Sequence, residues 1–303
     1  MPRMLVWAEG RFRWVRVPGE HSIRGAAWRP DGSEALLVGN GGTAFLWRDG
    51  GFGPIPAPTS ENLRGAAWHP SGRWALAVGN AGTILRFEGR AWERVLFFSA
   101  VALRRVAWSP DGRYALIVGN DGLALRYEQG TVRAVGFAYH HLRSVAFHPS
   151  GEFALIGGNR ALYRYEERAP DLIPLYREPE GDLIAVAFRP DGAEALVAGF
   201  RPGGAEGREG VLYRWTPDGI SEAAEPAAGQ VWVGVAWTPD GGGAWLVGNP
   251  GPRPLPSLVA RWERGRLQPV FRHPRFRFTG VFPDPAHRTI LFPGSTVSFF
   301  WTA

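Results

Sequence analysis

The segment Gly25-Ala-Ala-Trp-Arg-Pro-Asp-Gly32 decides the fold, because close copies of it recur along the whole chain. The complete copies are Gly65-Ala-Ala-Trp-His-Pro-Ser-Gly72, Arg105-Val-Ala-Trp-Ser-Pro-Asp-Gly112, Ser144-Val-Ala-Phe-His-Pro-Ser-Gly151, Ala185-Val-Ala-Phe-Arg-Pro-Asp-Gly192 and Gly234-Val-Ala-Trp-Thr-Pro-Asp-Gly241. A seventh, degraded copy is Gly280-Val-Phe-Pro-Asp-Pro285. The spacings are 40, 40, 39, 41, 49 and 45 residues between the aromatic anchors Trp28, Trp68, Trp108, Phe147, Phe188, Trp237 and Phe282. A period of this length indicates an array of similar structural units.

The first half of each unit predicts two strands. Pro-Asp-Gly or Pro-Ser-Gly ends the first strand, because proline presets the first turn residue and glycine tolerates a positive φ. The second strand, for example Ala35-Leu-Leu-Val38, is continuously apolar, which indicates burial on both faces. A blade packed between two neighbouring blades buries its inner strands in this way, so the pattern favours a propeller over a sandwich.

The second half of each unit contains a further turn and two more strands. Gly-Asn closes the second strand, as in Gly39-Asn40 and Gly79-Asn80, and we interpret these asparagines as turn formers. The third strand ends in an aromatic residue and an acid, as in Tyr127-Glu128, and a polar outer strand follows. Residues 1–303 are therefore predicted to form one all-β domain, a single seven-bladed β-propeller of four-stranded antiparallel blades.

The order of these features resembles WD40 repeats over nearly the whole chain. The shared features are an aromatic residue before x-Pro-Asp-Gly, an apolar strand, a small-residue turn and a strand that ends near Trp-Asp. The family's Gly-His pair is absent, and its Trp-Asp pair survives only loosely as Trp47-Arg48-Asp49. The resemblance implies a binding or scaffold module without naming a partner, because one fold hosts many unrelated functions. The departures imply that apolar packing replaces the family's buried His-Ser-Trp-Asp network.

The two ends of the chain are predicted to complete one blade, residues 278–301 lying beside the N-terminus. The last copy supplies three strands, the third near Val297 to Trp301, and Arg11 to Val17 would provide the missing fourth. Pairing the ends in this way removes an exposed sheet edge. Met4 to Trp7 also has the pattern of a third strand, which leaves a five-stranded blade or a different pairing as alternatives.

The amino-acid usage excludes several kinds of chemistry. Cysteine and lysine are both absent, which excludes disulfides, thiolate catalysis, cysteine-ligated metals and Schiff bases. All 34 basic residues are arginine, and together with abundant Ala, Gly and Pro this is typical of a GC-rich, thermophile-like composition. The N-terminus has no signal-peptide pattern, and no apolar run reaches membrane-spanning length. We therefore expect a cytoplasmic protein without membrane association.

No constellation of residues predicts an enzyme. The chain lacks Gly-x-Ser-x-Gly, His-Glu-x-x-His, calcium-loop and phosphate-loop motifs, and we predict no cofactor. His69 and His148 share a repeat position before the turn, where we interpret them as exposed turn residues. The neighbouring His140 and His141 would point to opposite sides of an extended segment, which disfavours a metal site. The enzyme hypothesis that survives is a site at the mouth of an axial channel, built from separate blades.

One end of the predicted propeller concentrates arginine. In an antiparallel meander, the start of the first strand and the turn after the second strand lie at the same end. Four residues before the aromatic anchor, blades one to four carry Arg24, Arg64, Arg104 and Arg143. Blades five and six carry Ile184 and Val233 there, but have insertions in the corresponding turns. These insertions and their surroundings add the candidate partner-binding residues Arg201, Arg208, Trp232 and Arg253.

These residues support two binding hypotheses. The leading one is a non-catalytic, monomeric interaction or scaffold module that binds a protein or peptide partner, with a preference for an acidic one, through this face. The alternative is a polyanion or nucleic-acid binder, which would lose affinity steeply with salt. Both compete with a purely structural interpretation, in which the arginines are inherited by duplication and neutralised by acids such as Glu20 and Glu61.

Overall fold

The chain folds almost entirely into antiparallel β-strands. The computed structural model describes residues 2–169, 171–204, 207–252 and 255–296. In these ranges the regular structure is β-strand apart from two short 3-10 turns, Asn40–Gly42 and Asn120–Gly122. None of the helical segments found there has the length and apolarity that crossing a bilayer requires.

The strands of the first half of the chain form repeated groups of four after an N-terminal pair. The N-terminal pair is β1 (Arg3–Ala8) and β2 (Arg11–Arg16). The first group is β3 (Ile23–Trp28), β4 (Ala35–Gly39), β5 (Ala44–Arg48) and β6 (Gly51–Pro54). The second is β7 (Leu63–Trp68), β8 (Trp74–Gly79), β9 (Ile84–Glu88) and β10 (Ala91–Arg94). The third is β11 (Leu103–Trp108), β12 (Ala115–Gly119), β13 (Leu123–Glu128) and β14 (Thr131–Phe137).

The second half continues the pattern with longer strands. A seven-stranded sheet contains β15 (Leu142–Phe147), β16 (Phe153–Glu166), β17 (Ile173–Phe188), β18 (Ala195–Arg201), β19 (Glu209–Thr216), β20 (Gly219–Glu222) and β21 (Ala227–Ala228). A four-stranded sheet follows, formed by β22 (Gln230–Trp237), β23 (Gly243–Pro250), β24 (Ser257–Glu263) and β25 (Arg266–His273). The last strands are β26 (Phe276–Phe278), β27 (Phe282–Pro283), β28 (Thr289–Phe292) and β29 (Gly294–Thr296).

The seven-stranded sheet consists of two repeat units joined by long strands. The first half of β16 pairs with β15, and its second half pairs with the first half of β17. The second half of β17 then begins the next unit by pairing with β18. The sequence period is therefore preserved, although two units share one continuous sheet.

The two ends of the chain share a four-stranded sheet, in the order β2-β1-β28-β27. Val6 in β1 stands opposite Leu291 in β28, and β2 pairs on the outer side of β1. Among the described residues, Met4 to Trp7 is thus the third strand of this sheet and Arg11 to Arg16 the fourth. The segment Val297 to Trp301, predicted as a third strand, lies outside the described residues.

The apolar second strands form the core between neighbouring units. Leu36, Leu37 and Val38 of β4 have no exposed surface, as the continuous apolar pattern predicted. The first strands of successive units pack side by side, and β27 of the last sheet contacts β3 of the first group. Burial on both faces is the reason that these strands do not alternate polar and apolar residues.

The aromatic anchors connect one unit to the preceding one. The indole Nε1 of Trp108 donates to the Ala67 carbonyl oxygen at 3.2 Å, and Trp237 donates to Ala187 at 2.9 Å. Trp28 donates to the carbonyl oxygen of Phe282 at 3.1 Å, which connects the first group of strands to the last sheet. These three tryptophan anchors therefore combine apolar packing with a hydrogen bond between units.

His69 and His148 lie in the predicted turns, but they are only partly exposed. His69 Nε2 lies 3.0 Å from the Gly112 carbonyl oxygen of the next unit, and its ring stacks on Trp74. His148 makes the equivalent contact with Gly192 at 3.1 Å. Both imidazoles are partly buried between units because the aromatic ring beneath them and the adjacent turn carbonyl offer a site of matching shape.

Candidate functional site

The first strand of each of the first four complete repeats begins with a β-bulge that carries an arginine. The register shifts between Ile23 and Gly25, and it shifts at the same repeat position in β7, β11 and β15. The residues left out of the pairing are Arg24, Arg64, Arg104 and Arg143. A bulge re-aims the side chain of the extra residue, so each guanidinium leaves the strand face and turns toward the end of the sheet.

Each of these arginines is held by the asparagine of its own unit. Arg24 Nε donates to Asn40 Oδ1 at 2.9 Å, and Arg64 donates to Asn80 at 2.7 Å. The equivalent bonds measure 2.9 Å and 2.8 Å and join Arg104 to Asn120 and Arg143 to Asn159. The asparagines therefore do more than form turns, because their side chains orient four guanidinium groups alike.

The main chain fixes the asparagines before they bind the arginines. The backbone N–H of Asn40 donates to the Ser22 carbonyl oxygen at 3.1 Å, and Asn120 donates to Ala102 at 2.9 Å. A Cβ on Gly39 would collide with that same Ser22 oxygen, so glycine must precede the asparagine. The Gly-Asn sequence thus brings the second strand close to the start of the first and presents the amide oxygen to the arginine.

The four arginines, which together define the arginine face, carry charge that direct ion pairs do not neutralise, although Arg143 lies near enough to Asp182 to lower the pKa of that carboxyl. In residues 2–296, as far as the structure describes them, none of the four forms an ion pair, and their Nη atoms make no hydrogen bond. Glu20 and Glu61, considered as neutralising acids, do not pair with them. Burial, and secondarily the charges of Arg64, Arg143 and Arg105, lowers the pKa of Arg104 to about 10. The guanidinium groups therefore converge closely enough to repel one another and remain cationic at neutral pH.

A fifth arginine, Arg105, lies beneath this cluster. Its Nη1 donates to the carbonyl oxygens of Arg64 and Arg104 at 2.9 Å and 3.0 Å, and its Nη2 donates to Thr279 at 3.3 Å. Arg105 thus crosses the space between first strands of units that are distant in sequence. Burial, and secondarily the charge of Arg64, lowers the pKa of Arg105 to about 10. The other repeats have smaller residues at this position, three before the aromatic anchor: Gly25, Gly65, Ser144, Ala185, Gly234 and Thr279.

The candidates in the insertions have different surroundings. Arg201 is neutralised, because its Nε lies 2.6 Å from a Glu209 oxygen and its Nη1 lies 2.9 Å from Glu222. The guanidinium of Arg208 covers the ring of Phe200, 4.6 Å from its centroid. Arg201 is therefore not an unpaired charge, whereas Arg208 lies near enough to Asp182, as Arg143 does, to lower the pKa of that carboxyl.

Trp232 belongs to the core rather than to the surface. Its side chain is 1% exposed and packs against Gly210 and Gly248, where a Cβ at either position would collide with the indole. We therefore correct its predicted role from partner binding to packing. Arg253 lies outside the described residues.

The arginine face ends where the fifth unit begins. Ile184 replaces the arginine there and Phe200 replaces the asparagine, so both members of the pair are lost together. In the sixth unit Asn249 binds the backbone of Phe278 instead, through two hydrogen bonds of 2.8 Å. Asp182 lies at this boundary. Burial raises its pKa, while the charge of Arg143 opposes that shift.

The sequence contains a second pattern, beyond the repeat itself, that indicates contact between each arginine and its asparagine. The two residues are separated by 16 positions in all four units, and they disappear together in the fifth. The arginine lies four residues before the aromatic anchor, at the start of the first strand, and the asparagine follows the second strand. Both positions lie at the same end of the sheet, so a constant spacing between them indicates contact. By contrast, Arg105 differs in residue type from its repeat equivalents, but no spacing in the sequence indicates which residues it contacts.

The described residues contain no group of three or more His, Cys, Asp or Glu side chains positioned to hold a metal ion. The arrangement is instead suited to binding anions. Each terminal guanidinium edge can donate two parallel hydrogen bonds to a carboxylate or a phosphate.

Comparison with solved structures supports a propeller-like fold. The β-propeller domain of Cps50 (Swd1) from Myceliophteria thermophila superimposes with a TM-score of 0.67 at 13% identity, covering 93% of this chain and 99% of that domain. Hydrazine synthase from Kuenenia stuttgartiensis superimposes with a TM-score of 0.71 at 14% identity, covering 90% of this chain and 94% of that one. The chain is thus an all-β protein with the fold of β-propeller domains. At these identities, the likeness extends to the fold and not to the activity.

No protein-family model matches the chain, and no curated protein matches its sequence. The resemblance to WD40 repeats therefore remains a prediction, supported by the propeller fold of its structural neighbours.

Proposed function

We propose that the chain is a non-catalytic interaction module whose arginine face binds an acidic segment of a protein partner. The observation that carries this proposal is the set of four guanidinium groups, each held through Nε by an asparagine. Their terminal nitrogens have no carboxylate partner among the described residues. Clustering like charges has no structural benefit, whereas an acidic ligand would relieve the repulsion and use the Nη donors.

We further propose that seven four-stranded blades form a closed ring. The repeat count, the shared sheet of the two chain ends and the hydrogen bond from Trp28 to Phe282 support this arrangement. A ring of rigid blades would hold the four arginines on an arc at fixed distances. Such preorganisation favours binding, because little side-chain and backbone freedom is lost when the partner docks.

A polyanion such as nucleic acid is the competing ligand for the same arginines. Phosphate contacts release condensed counterions, so affinity for nucleic acid falls steeply as salt increases. A mixed interface with a protein depends less on salt, because its apolar contacts are not screened.

Quantitative affinity capture from the organism's own lysate tests the proposal. We expect the wild-type chain to enrich a protein partner that the combined Arg64→Glu, Arg104→Glu and Arg143→Glu variant fails to enrich. The matched control is Arg73→Glu, Arg90→Glu and Arg264→Glu, which changes the same net charge at exposed turns of the opposite end. Nuclease treatment before capture removes partners that are bridged by nucleic acid.

Equal enrichment by the wild type and both variants would overturn the proposal. Loss of the captured partner after nuclease treatment would also overturn the proposal, because the arginines would then bind nucleic acid and not the partner itself. Melting temperatures of the three proteins, expected within a few degrees of one another, establish that folding is unaffected.

A further inference from the structure

Four large apolar side chains stand exposed in the two linkers that lead into the strands of Arg104 and Arg143. Phe98 and Tyr139 are 93% and 95% exposed, while Leu96 and Phe137 are 75% and 63% exposed. The described residues contain only three other exposed side chains of this kind, Ile173, Leu175 and Val270, and those are less exposed. Apolar residues this exposed are uncommon in groups and mark interaction surfaces.

These four residues, here called the aromatic ridge, come from two linkers that run between units. Leu96 and Phe98 lie between β10 and β11, whereas Phe137 and Tyr139 lie at the end of β14 and before β15. The corresponding linker before β7 has the sequence Pro56-Ala-Pro-Thr-Ser60, without a large apolar residue. The ridge is therefore a local feature of the second to fourth units and not a property of the repeat.

Hydrogen bonds tie both linkers to the turns that hold the arginines. Gly82, in the turn that begins with Asn80, donates to the Val101 carbonyl oxygen at 2.8 Å. The backbone N–H of Ala138 donates to the Gly122 carbonyl oxygen at 2.9 Å. The backbone N–H of Asp121 donates to Nδ1 of His141 at 2.8 Å. Both linkers are thus fixed to the turns that begin with Asn80 and Asn120, with Arg104 following one linker in the sequence and Arg143 following the other.

We infer that the aromatic ridge and the adjacent arginines together bind an acidic peptide segment that carries large apolar side chains. The inference rests on the proposed function of the arginine face and names the chemistry of its partner. Carboxylates would occupy the Nη edges of Arg64, Arg104 and Arg143, while apolar side chains would cover the ridge. Aromatic residues beside arginine at an interface commonly supply most of the binding free energy.

A peptide fits this surface better than a nucleic acid does. The ridge includes the aliphatic Leu96, which offers no planar face for stacking on a base, whereas it packs well against apolar side chains. Single-stranded nucleic acid binding relies on stacked bases along a continuous basic groove. Here the four arginines of the arginine face are confined to the first four units, and the carboxyl of Asp182 lies near the last of them, Arg143.

Binding of the full chain to two labelled synthetic polymers tests this inference. The probes are poly-Glu and a random Glu/Tyr copolymer with the same number of glutamates, measured by fluorescence anisotropy. We expect the copolymer to bind about tenfold more tightly, because tyrosine side chains add apolar contact with the ridge. The Phe98→Ser, Tyr139→Ser double variant should lose this preference while its affinity for poly-Glu stays unchanged.

A matched control replaces two partly exposed apolar residues elsewhere, Leu175→Ser and Val270→Ser, and should keep the preference. If poly-Glu binds but the copolymer has no advantage, or keeps it in the Phe98→Ser, Tyr139→Ser variant, the ridge has no role and the arginine face stands. If neither polymer binds, both proposals fail. If oligothymidylate binds more tightly than the copolymer and depends on Phe98 and Tyr139, the surface belongs to single-stranded nucleic acid and the inference is overturned.

Discussion

The Nε of Arg104 donates to Oδ1 of Asn120 at 2.9 Å, which joins the bulge at the start of β11 to the turn after β12. The same bond recurs in the three other units that carry both residues. An amide oxygen orients a guanidinium without neutralising it, whereas a carboxylate would do both. The pair therefore positions charge at the arginine face and leaves that charge available to a ligand.

A double-mutant cycle on this pair measures the coupling. We expect Asn120→Ala to lower the free energy of unfolding by about 1 kcal/mol, the usual net value of one hydrogen bond. Arg104→Ala and Asn120→Ala together should cost less than the sum of the single changes, because both remove the same bond. Urea titration of the four proteins gives these values. Strict additivity would indicate that the contact contributes nothing to stability.

Trp108 is expected to be among the most important residues for stability. It is buried between units and donates to the Ala67 carbonyl oxygen at 3.2 Å. Trp108→Ala should therefore cost about 3–5 kcal/mol, through lost apolar contact and the cavity that remains. Trp108→Phe keeps much of the apolar volume and should cost far less. A near-neutral effect of the alanine change in urea denaturation would contradict the assignment of this anchor to the core.

Asp182 should make the protein less stable as the pH rises. Burial raises its pKa above the ordinary value of 3.8, so the folded state holds this proton more tightly than the unfolded state does. The associated stability is present below pH 3.8 and is lost as the pH increases through the raised pKa. Asp182→Asn should therefore raise the melting temperature at neutral pH and remove this part of the pH dependence. A lower melting temperature at neutral pH would show that the ionised carboxylate stabilises the fold.

Arg143 provides an internal check on that electrostatic assignment. Its charge lowers the pKa of Asp182 and so opposes the effect of burial. Arg143→Gln should consequently raise the pKa of Asp182 further, which carboxyl-carbon NMR titration can follow. An unchanged titration midpoint would mean that the two groups are not coupled.

The N-terminal strands should be required for a soluble, monomeric fold. Leu5 and Val6 of β1 are fully buried and pair with Phe292 and Leu291 of β28. Deleting residues 1–17 would expose the edge of β28, and such edges pair with other chains. We expect the shortened chain to aggregate or melt at a much lower temperature, measured by light scattering and calorimetry. A shortened chain that stays monomeric with the wild-type melting temperature would contradict the role assigned to β1.

The sequence predicted those parts of the fold that periodic patterns determine. The apolar run at Leu36 to Val38 identified a strand buried on both faces, and Pro30-Asp-Gly32 identified the turn before it. The pairing of β1 with β28 could not be chosen from the sequence, because Met4 to Trp7 and Val297 to Trp301 have equivalent strand patterns.

The candidate site was predictable only in part, for a similar reason. The repeat position of Arg24, Arg64, Arg104 and Arg143 predicts that they lie at one end. A residue within an insertion has no repeat position, so the sequence does not predict which neighbours neutralise or bury it. Arg201 meets Glu209 because the pairing of β18 and β19 extends into the insertion, and Trp232 fills space left by Gly210 and Gly248. Contacts of this kind depend on tertiary packing and produce no repeating pattern in the sequence.

The most direct test of the arginine face is the affinity of the full chain for poly-Glu as a function of salt, with the arginines neutralised rather than reversed. The test variant combines Arg64→Gln, Arg104→Gln and Arg143→Gln, which keeps side chains of similar length and polarity. Its control combines Arg73→Gln, Arg90→Gln and Arg264→Gln at the opposite end. We expect the test variant to bind at least about tenfold more weakly than the wild type at low salt and with a shallower salt dependence, while the control binds as the wild type does. Equal affinity of the wild type and the test variant would contradict the assignment of this face as the binding surface.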